Sequence, residues 1–328
     1  MSRANYMVHV TCITFNHASF ITDTMNGFCI QQTSFPFVCT IFDDCSTDGE
    51  QEVIKQYLQD HFDLEDQSVV RNEETDDYVL TFVRHKTNKN CFFAVYYLKY
   101  NHYSIGKGYR KLDYCKELVE HAPYVALCEG DDYWINPYKL QKQVEYLNVH
   151  YECGLVCGYA HSFIQSTRDL MEVNPIGKKD YTYDDVLWEN PVTTLTAMYR
   201  FNLLDGYEEF IKGTDWFVGD LPKWLYITSK SNIHKLNDVL GVYRVVSNSF
   251  SHGDSYEKRI SYINTIYDIV CFYAKNVGCK DFNRLEQRHY IEMFNEAFAF
   301  KRYKTAKEVF PKIKERNWKL WVKRFMCL

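Results

Sequence analysis

Three groups of aspartates carry most of the chemistry this sequence offers: Asp43 and Asp44, Asp131 and Asp132, and Asp220. The segment Cys128-Glu129-Gly130-Asp131-Asp132-Tyr133-Trp134 ends the apolar run Tyr124-Val125-Ala126-Leu127-Cys128, which reads as a strand covered on both faces. Carboxylates at the carboxyl end of such a strand stand where open α/β sheets bind ligands. Two adjacent aspartates there can hold a hard divalent cation and polar ligand groups through oxygen contacts. Gly-Asp-Asp is also good turn chemistry, and Asp44 and Asp220 could simply cap the helices that follow them. Three acidic clusters on one ligand-binding edge are harder to assign to turns alone.

The elements that must position these groups are legible. Val8–Phe15 predicts a first strand, and Ser19 to about Gln32 a helix. Val38–Phe42 predicts a second strand, and a helix capped by Ser46/Asp48 runs to about His61. Strand, helix, strand, helix at this spacing implies right-handed βαβ units and a parallel sheet. Asp77–Arg84 and Cys91–Leu98 read as a hairpin. Helices are expected over Gly108–His121, Pro137–Tyr151 and Leu221–Ser229, and strands over Gly154–Tyr159, Val192–Tyr199 and Val239–Val246. From Tyr256 the pattern is helical, with a break at Pro311. A boundary near residue 250 separates an α/β body from a helical region, residues 251–328.

Composition narrows the function. The net charge of −5 hides ten Lys/Arg against two Glu in residues 301–328, on a body with an excess of 13 acids. Such a body repels nucleic acid. No run of 18 apolar residues occurs and Met1–Val10 lacks a signal-peptide core. The expected location is therefore cytoplasmic, with a peripheral place on the inner face of the cell membrane left open. The 12 cysteines contain no Cys-x-x-Cys pair and read as reduced, buried thiols. No Gly-x-Gly-x-x-Gly, P-loop, Gly-x-Ser-x-Gly or His-Glu-x-x-His is present, which argues against dinucleotide, P-loop phosphate, serine-hydrolase and zinc-protease chemistry.

Val10-Thr11-Cys12-Ile13-Thr14-Phe15-Asn16-His17, then Phe42-Asp43-Asp44-Cys45-Ser46-Thr47-Asp48, then Glu129-Gly130-Asp131-Asp132-Tyr133-Trp134 resemble successive motifs of the family-2 glycosyltransferases. Ile135-Asn136-Pro137-Tyr138-Lys139-Leu140-Gln141-Lys142-Gln143 continues the pattern of bacterial members. Gly219-Asp220-Leu221-Pro222-Lys223-Trp224-Leu225 and Val242-Tyr243-Arg244-Val245 resemble the acceptor-side segment, so the match runs in order over residues 7–251. The resemblance implies a GT-A fold: an α/β, Rossmann-like, mixed and mainly parallel sheet flanked by helices. Its nucleotide-binding half would cover about 1–135 and its acceptor half about 136–250.

By motif matching, Asp44 would contact the nucleotide base, with Ile13 and Phe15 near it. Asp131 would bind the ribose or sugar, Asp132 a Mn²⁺ or Mg²⁺ ion on the diphosphate, and Asp220 would be the general base of an inverting transfer. The donor would be a nucleotide sugar, UDP-linked on family frequency. The acceptor would be a hydroxyl of a glycan or lipid-linked oligosaccharide in cell-surface polysaccharide synthesis. Lys107, Arg110 and Arg244 are candidates for the diphosphate, although such cations are more often surface or capping charges. Where many relatives carry a metal- or phosphate-contacting histidine, this chain has Val246; His252 is the nearby substitute. A nucleotidyltransferase and a non-catalytic nucleotide-sugar-binding subunit are the competing readings.

In the basic tail, Trp318, Trp321, Val322 and Phe325 fall at i, i+3, i+4 and i+7, with Lys319, Lys323 and Arg324 off that face. The pattern suits an anionic membrane surface. The same face could equally pack on the body.

Overall fold

A computed structural model describes residues 6–108, 110–246, 255–314 and 316–327, with Arg110 described through its backbone only. Period-two alternation sorts the central strands into two faces. Val8, Val10 and Cys12 of β1 (Val8–Thr14), and Phe37, Cys39 and Ile41 of β2 (Phe37–Asp43), bury on one side. Val38 and Phe42 of β2 bury on the other. There β1 presents His9 instead, whose Nε2 lies 2.7 Å from the Thr40 hydroxyl.

The remaining strands are β3 (Phe62–Asp63), β4 (Arg71–Glu74), β5 (Tyr78–His85), β6 (Cys91–Leu98), β7 (Tyr124–Leu127), β8 (Tyr133–Trp134), β9 (Cys153–Ile164), β10 (Asp169–Met171), β11 (Asp180–Tyr181), β12 (Met198–Arg200) and β13 (Asn232–Val245). All join one sheet in the order β11-β13-β9-β12-β7-β1-β2-β6-β5-β3, with β4 on β5, β8 on β13 and β10 on β9. The stretch β7-β1-β2-β6 is parallel, and antiparallel strands flank it. The predicted hairpin exists, but β6 also pairs in parallel with β2 from Phe37↔Cys91 to Asp43↔Tyr97. It is therefore part of the central sheet.

Helices Ile21–Cys29, Glu50–His61 and Lys139–Val149 cover the first face with Ile21, Met25, Ile54, Leu58, Leu140 and Val144. Gly27 lets the first of them close on β8, since a Cβ there would stand 2.7 Å from the Trp134 amide nitrogen. Three expectations change. Of the expected Val192–Tyr199 strand only Met198 and Tyr199 are in a strand, which runs on to Arg200, because Thr194–Thr196 forms a 3₁₀ turn closed by Thr196 N–H on the Thr193 carbonyl, 2.8 Å. The helix expected over Gly108–His121 is two short ones, Arg110–Tyr114 and Lys116–Glu120. β8 falls in a stretch where no strand is expected, since two residues carry no period.

The C-terminal helices are Tyr256–Asn276, Phe282–Ala299, Tyr303–Val309 and Trp318–Met326, with Pro311 in a 3₁₀ turn between the last two. Ile269, Val270 and Tyr273 bury in the core of the second sheet face, and the Tyr273 hydroxyl donates to the Pro222 carbonyl at 2.6 Å. The first C-terminal helix thus shares the body's core. Eight of the twelve cysteines are buried. Among the described residues no helix is long and apolar enough to cross a membrane.

Candidate active site

Parallel pairing brings the carboxyl ends of β1, β2 and β7 to one edge. Past Leu127 the chain crosses over the end of β1: Cys128 N–H donates to the Thr11 carbonyl (3.2 Å) and Gly130 N–H to the Ile13 carbonyl (3.1 Å). Gly130 is required by this approach, because a Cβ would lie 2.1 Å from the Thr14 hydroxyl oxygen. The crossing projects Glu129, Asp131 and Asp132 together, with carboxylate oxygens all within 4.8 Å.

Asp132 is buried, and its Oδ1 accepts Arg244 N–H at 2.8 Å. Burial, then the charge of Asp131, raises its pKa well above the usual carboxylate range. The Glu129 carboxyl is accessible from the cleft yet crowded by protein. Desolvation, then the charges of Asp131 and Asp220, push its pKa up to about 7. Three clustered carboxylates offering only oxygen donors fit a hard divalent cation. The sequence motif contains Glu129 but gives it no role; its convergence on the pair depends on the turn at Gly130.

Asp44 is buried and fully engaged. Its Oδ1 accepts His102 N–H (2.7 Å), its Oδ2 accepts Tyr103 N–H (3.1 Å), and the buried Lys111 Nζ stands 2.8 Å from Oδ2. Asp43 is buried beside it, its pKa raised chiefly by desolvation. Ile13 and Phe15 are 45% and 42% exposed at the end of β1, unusual for large apolar side chains beside a strand edge. Glu50, which no sequence signal singles out, is buried and joins the first two loops: it accepts the hydroxyls of Thr14 and Ser46 and the N–H of His17. His17 in turn lies 3.9 Å from Asp131.

Arg244 sits behind the acidic pair. Its Nε donates to the Asp131 carbonyl (2.8 Å), and its terminal nitrogens bond Gln165 and Asp23 at 2.9 Å each. It is buried among Phe20, Tyr133 and Phe163. That geometry makes it a clamp on the pair. Lys107 is half-buried, its ammonium 5.6 Å from the Tyr100 ring centre. The Arg110 side chain and His252 lie outside the described residues.

Asp220 opens the helix Asp220–Thr228, and the Thr194 hydroxyl donates to its Oδ2 at 2.8 Å. It lines a cavity of about 380 Å³. Val186, Leu187 and Leu221 form one wall, and Ile263, Arg288 and Glu292 of the C-terminal helices form the other. The Asp220 charge is also the last of the three causes that raise the Glu129 pKa.

No protein-family model matches the chain. An uncharacterized protein of Mycobacterium tuberculosis is 26% identical over 211 residues, covering 64% of this chain and 51% of that protein. The chain thus spans about half the length of that relative. The putative teichuronic acid biosynthesis glycosyltransferase TuaG of Bacillus subtilis is 25% identical over 251 residues, 75% of this chain and 81% of that protein. Among solved structures, S. aureus TarS 1–349 in complex with UDP-GlcNAc superposes with a TM-score of 0.54 at 16% identity, covering 98% of this chain and 79% of that one. Sheet order and this likeness agree on the fold: the chain has the GT-A fold of the glycosyltransferase structures it is similar to.

Proposed function

We propose that this chain is an inverting, metal-dependent transferase of the family-2 type, moving a sugar from a nucleotide-sugar donor to a hydroxyl of a glycan or lipid-linked acceptor in cell-surface polysaccharide synthesis. The observation that carries this reading is the convergence of Glu129, Asp131 and Asp132 at the ligand edge, with Asp220 on a cavity lined by the C-terminal helices. The named activity of TuaG and the UDP-GlcNAc of the TarS complex favour the same class, and make a UDP-sugar the first donor to try.

Asp132, with Asp131 and Glu129, would hold Mn²⁺ or Mg²⁺, which when bound neutralises charge on the diphosphate leaving group. Asp131 faces His17 and takes the sugar or ribose side. Ile13 and Phe15 offer apolar surface to the base, and Asp44 fixes the start of the 102–108 segment through His102 and Tyr103 and also holds Lys111. Lys107, on that segment, is the cation for the diphosphate. Arg244 holds both aspartates in place from behind. Asp220 accepts the proton of the acceptor hydroxyl, which attacks the anomeric carbon as the bond to the diphosphate breaks. Attack from the side opposite the leaving group inverts that centre.

A ligand that binds only the folded state raises its melting temperature, by about 2.7 kcal/mol of stability at a hundredfold excess over Kd. UDP-sugars should therefore stabilise the chain with Mn²⁺ and far less without it. Pyrophosphate release from a nucleoside triphosphate would instead identify a nucleotidyltransferase. Donor binding without hydrolysis or transfer would leave a non-catalytic subunit.

A further inference from the structure

The last helices form a module with its own small core of Phe294, Val309, Phe310, Ile313, Leu320 and Cys327. The helix Trp318–Met326 enters that core through Leu320, and the buried Cys327 follows it; the Asn317 side chain caps its start, accepting Leu320 N–H. Among the described residues its other side is largely uncovered, apart from the Trp321 ring, which meets Phe310 edge-on at 5.0 Å. Trp318 is 71% exposed, Phe325 65% and Met326 66%, with Trp321 and Val322 also exposed. A helix packed on a soluble body normally turns its widest apolar arc inward; here the narrow side packs and the aromatic side faces out.

Lys319 is exposed beside the stripe and Lys312 and Lys314 are exposed just before the helix, while Lys323 and Arg324 are half-buried with their charged ends over Phe298 and Phe310. The 301–328 segment carries ten cations against two acids. An outward aromatic stripe flanked by cations is the chemistry of an interfacial helix on anionic lipid. Interfacial insertion needs only side chains reaching about 5–10 Å into the lipid boundary, which one short helix with exposed aromatics can supply.

The helix also has a telling position. Lys323 Nζ donates to Asn295 Oδ1 at 2.7 Å, and Asn295 lines the Asp220 cavity. We propose that Trp318–Met326 is a docking surface for an anionic lipid bilayer, placed at the rim of that cavity. In the transferase reading, which the lipid contact does not need, the same seat brings an acceptor carried on a lipid to Asp220.

The test is co-sedimentation of the full chain with vesicles of phosphatidylcholine alone, or of phosphatidylcholine mixed with phosphatidylglycerol. The wild type should sediment with the mixed vesicles and be released by salt, which screens surface charge. The double variant Trp318→Glu, Phe325→Glu should bind about a hundredfold more weakly, since each buried aromatic is worth roughly a factor of ten or more. Its melting temperature and its donor-induced stabilisation should stay at the wild-type level, because both side chains are exposed. Asp220→Asn should sediment like the wild type, so a failed transfer assay and a failed lipid contact are separable results. Wild-type protein left in the supernatant with mixed vesicles overturns the proposal, as does a double variant that sediments normally. A solution dimer that the double substitution dissociates assigns the face to a second copy and overturns it too.

Discussion

The proposed donor edge and the proposed acceptor edge of this site are built in different ways. Glu129, Asp131 and Asp132 ride on backbone bonds between adjacent parallel strands, and Arg244 ties both aspartates to β13. Asp220 rests on the Thr194 hydroxyl and faces a cavity whose far wall comes from helices about 40 to 75 residues later. One edge is preorganised by the sheet; the other takes its shape from the C-terminal helices. In the proposed reading the contrast separates the two halves of a transfer reaction: the donor would be held by the fixed geometry of a sheet, and the acceptor would meet a surface shared with the helical region.

The sharpest way to break this comparison is to disable each edge alone. Asp132→Ala should abolish Mn²⁺-dependent donor binding and transfer together. Asp220→Asn should lower the transfer rate about 10²–10⁴-fold, the usual reach of a general base, while isothermal titration shows unchanged donor affinity. If Asp220→Asn also loses the donor, the edges are one unit.

Next in size is the clamp. Arg244→Met removes the guanidinium that joins the Asp131 carbonyl, Gln165 and Asp23, and leaving a buried acceptor without its donor costs about 1–3 kcal/mol for each such group, with less for the half-exposed Asp23. Urea unfolding should show that loss, and donor affinity should fall with it. A variant as stable as the wild type would mean the acidic pair holds its place without the clamp.

The smallest effect concerns acid. Burial holds His9 neutral in the fold, its pKa lowered from 6.5 to about 3. The unfolded chain therefore binds the proton first, so stability is complete above pH 6.5 and declines as pH falls toward 3. At about 1.4 kcal/mol per unit, the loss at about pH 4 is on the order of 3 kcal/mol. Melting curves between about pH 7 and 4 should show it, and His9→Gln, able to keep a bond to Thr40, should flatten it. An unchanged slope in that variant would place the acid sensitivity elsewhere than under the donor edge.

Much of this molecule can be read along the chain. Alternation in Val8–Thr14 and Phe37–Asp43, and helical spacing at Leu140, Val144 and Leu147, report burial directly, because each depends on residues only a few positions apart. Asp131 and Asp132 are legible for the same reason: a strand must end where its apolar run ends. Local spacing is weaker over Val192–Tyr199, where a turn made by Thr193 and Thr196 competes with extension. It is silent on β8, whose two residues become a strand by pairing with Gly241 and Val242.

The sequence by itself determined the order of strands and helices, the edge on which the acids stand, and the amphipathic stripe of the last helix. Tertiary structure decided how those groups are used. It spent Asp44 on Lys111 and on the amides of His102 and Tyr103, put Arg244 behind the acidic pair, and brought Glu129 into it. It also turned the aromatic stripe outward by packing Leu320 and Cys327 instead. The reason is physical: periodicity and capping are settled by neighbours in the chain, whereas the availability of a carboxylate oxygen or a helix face depends on partners tens to more than a hundred residues away, which only the packed fold brings near.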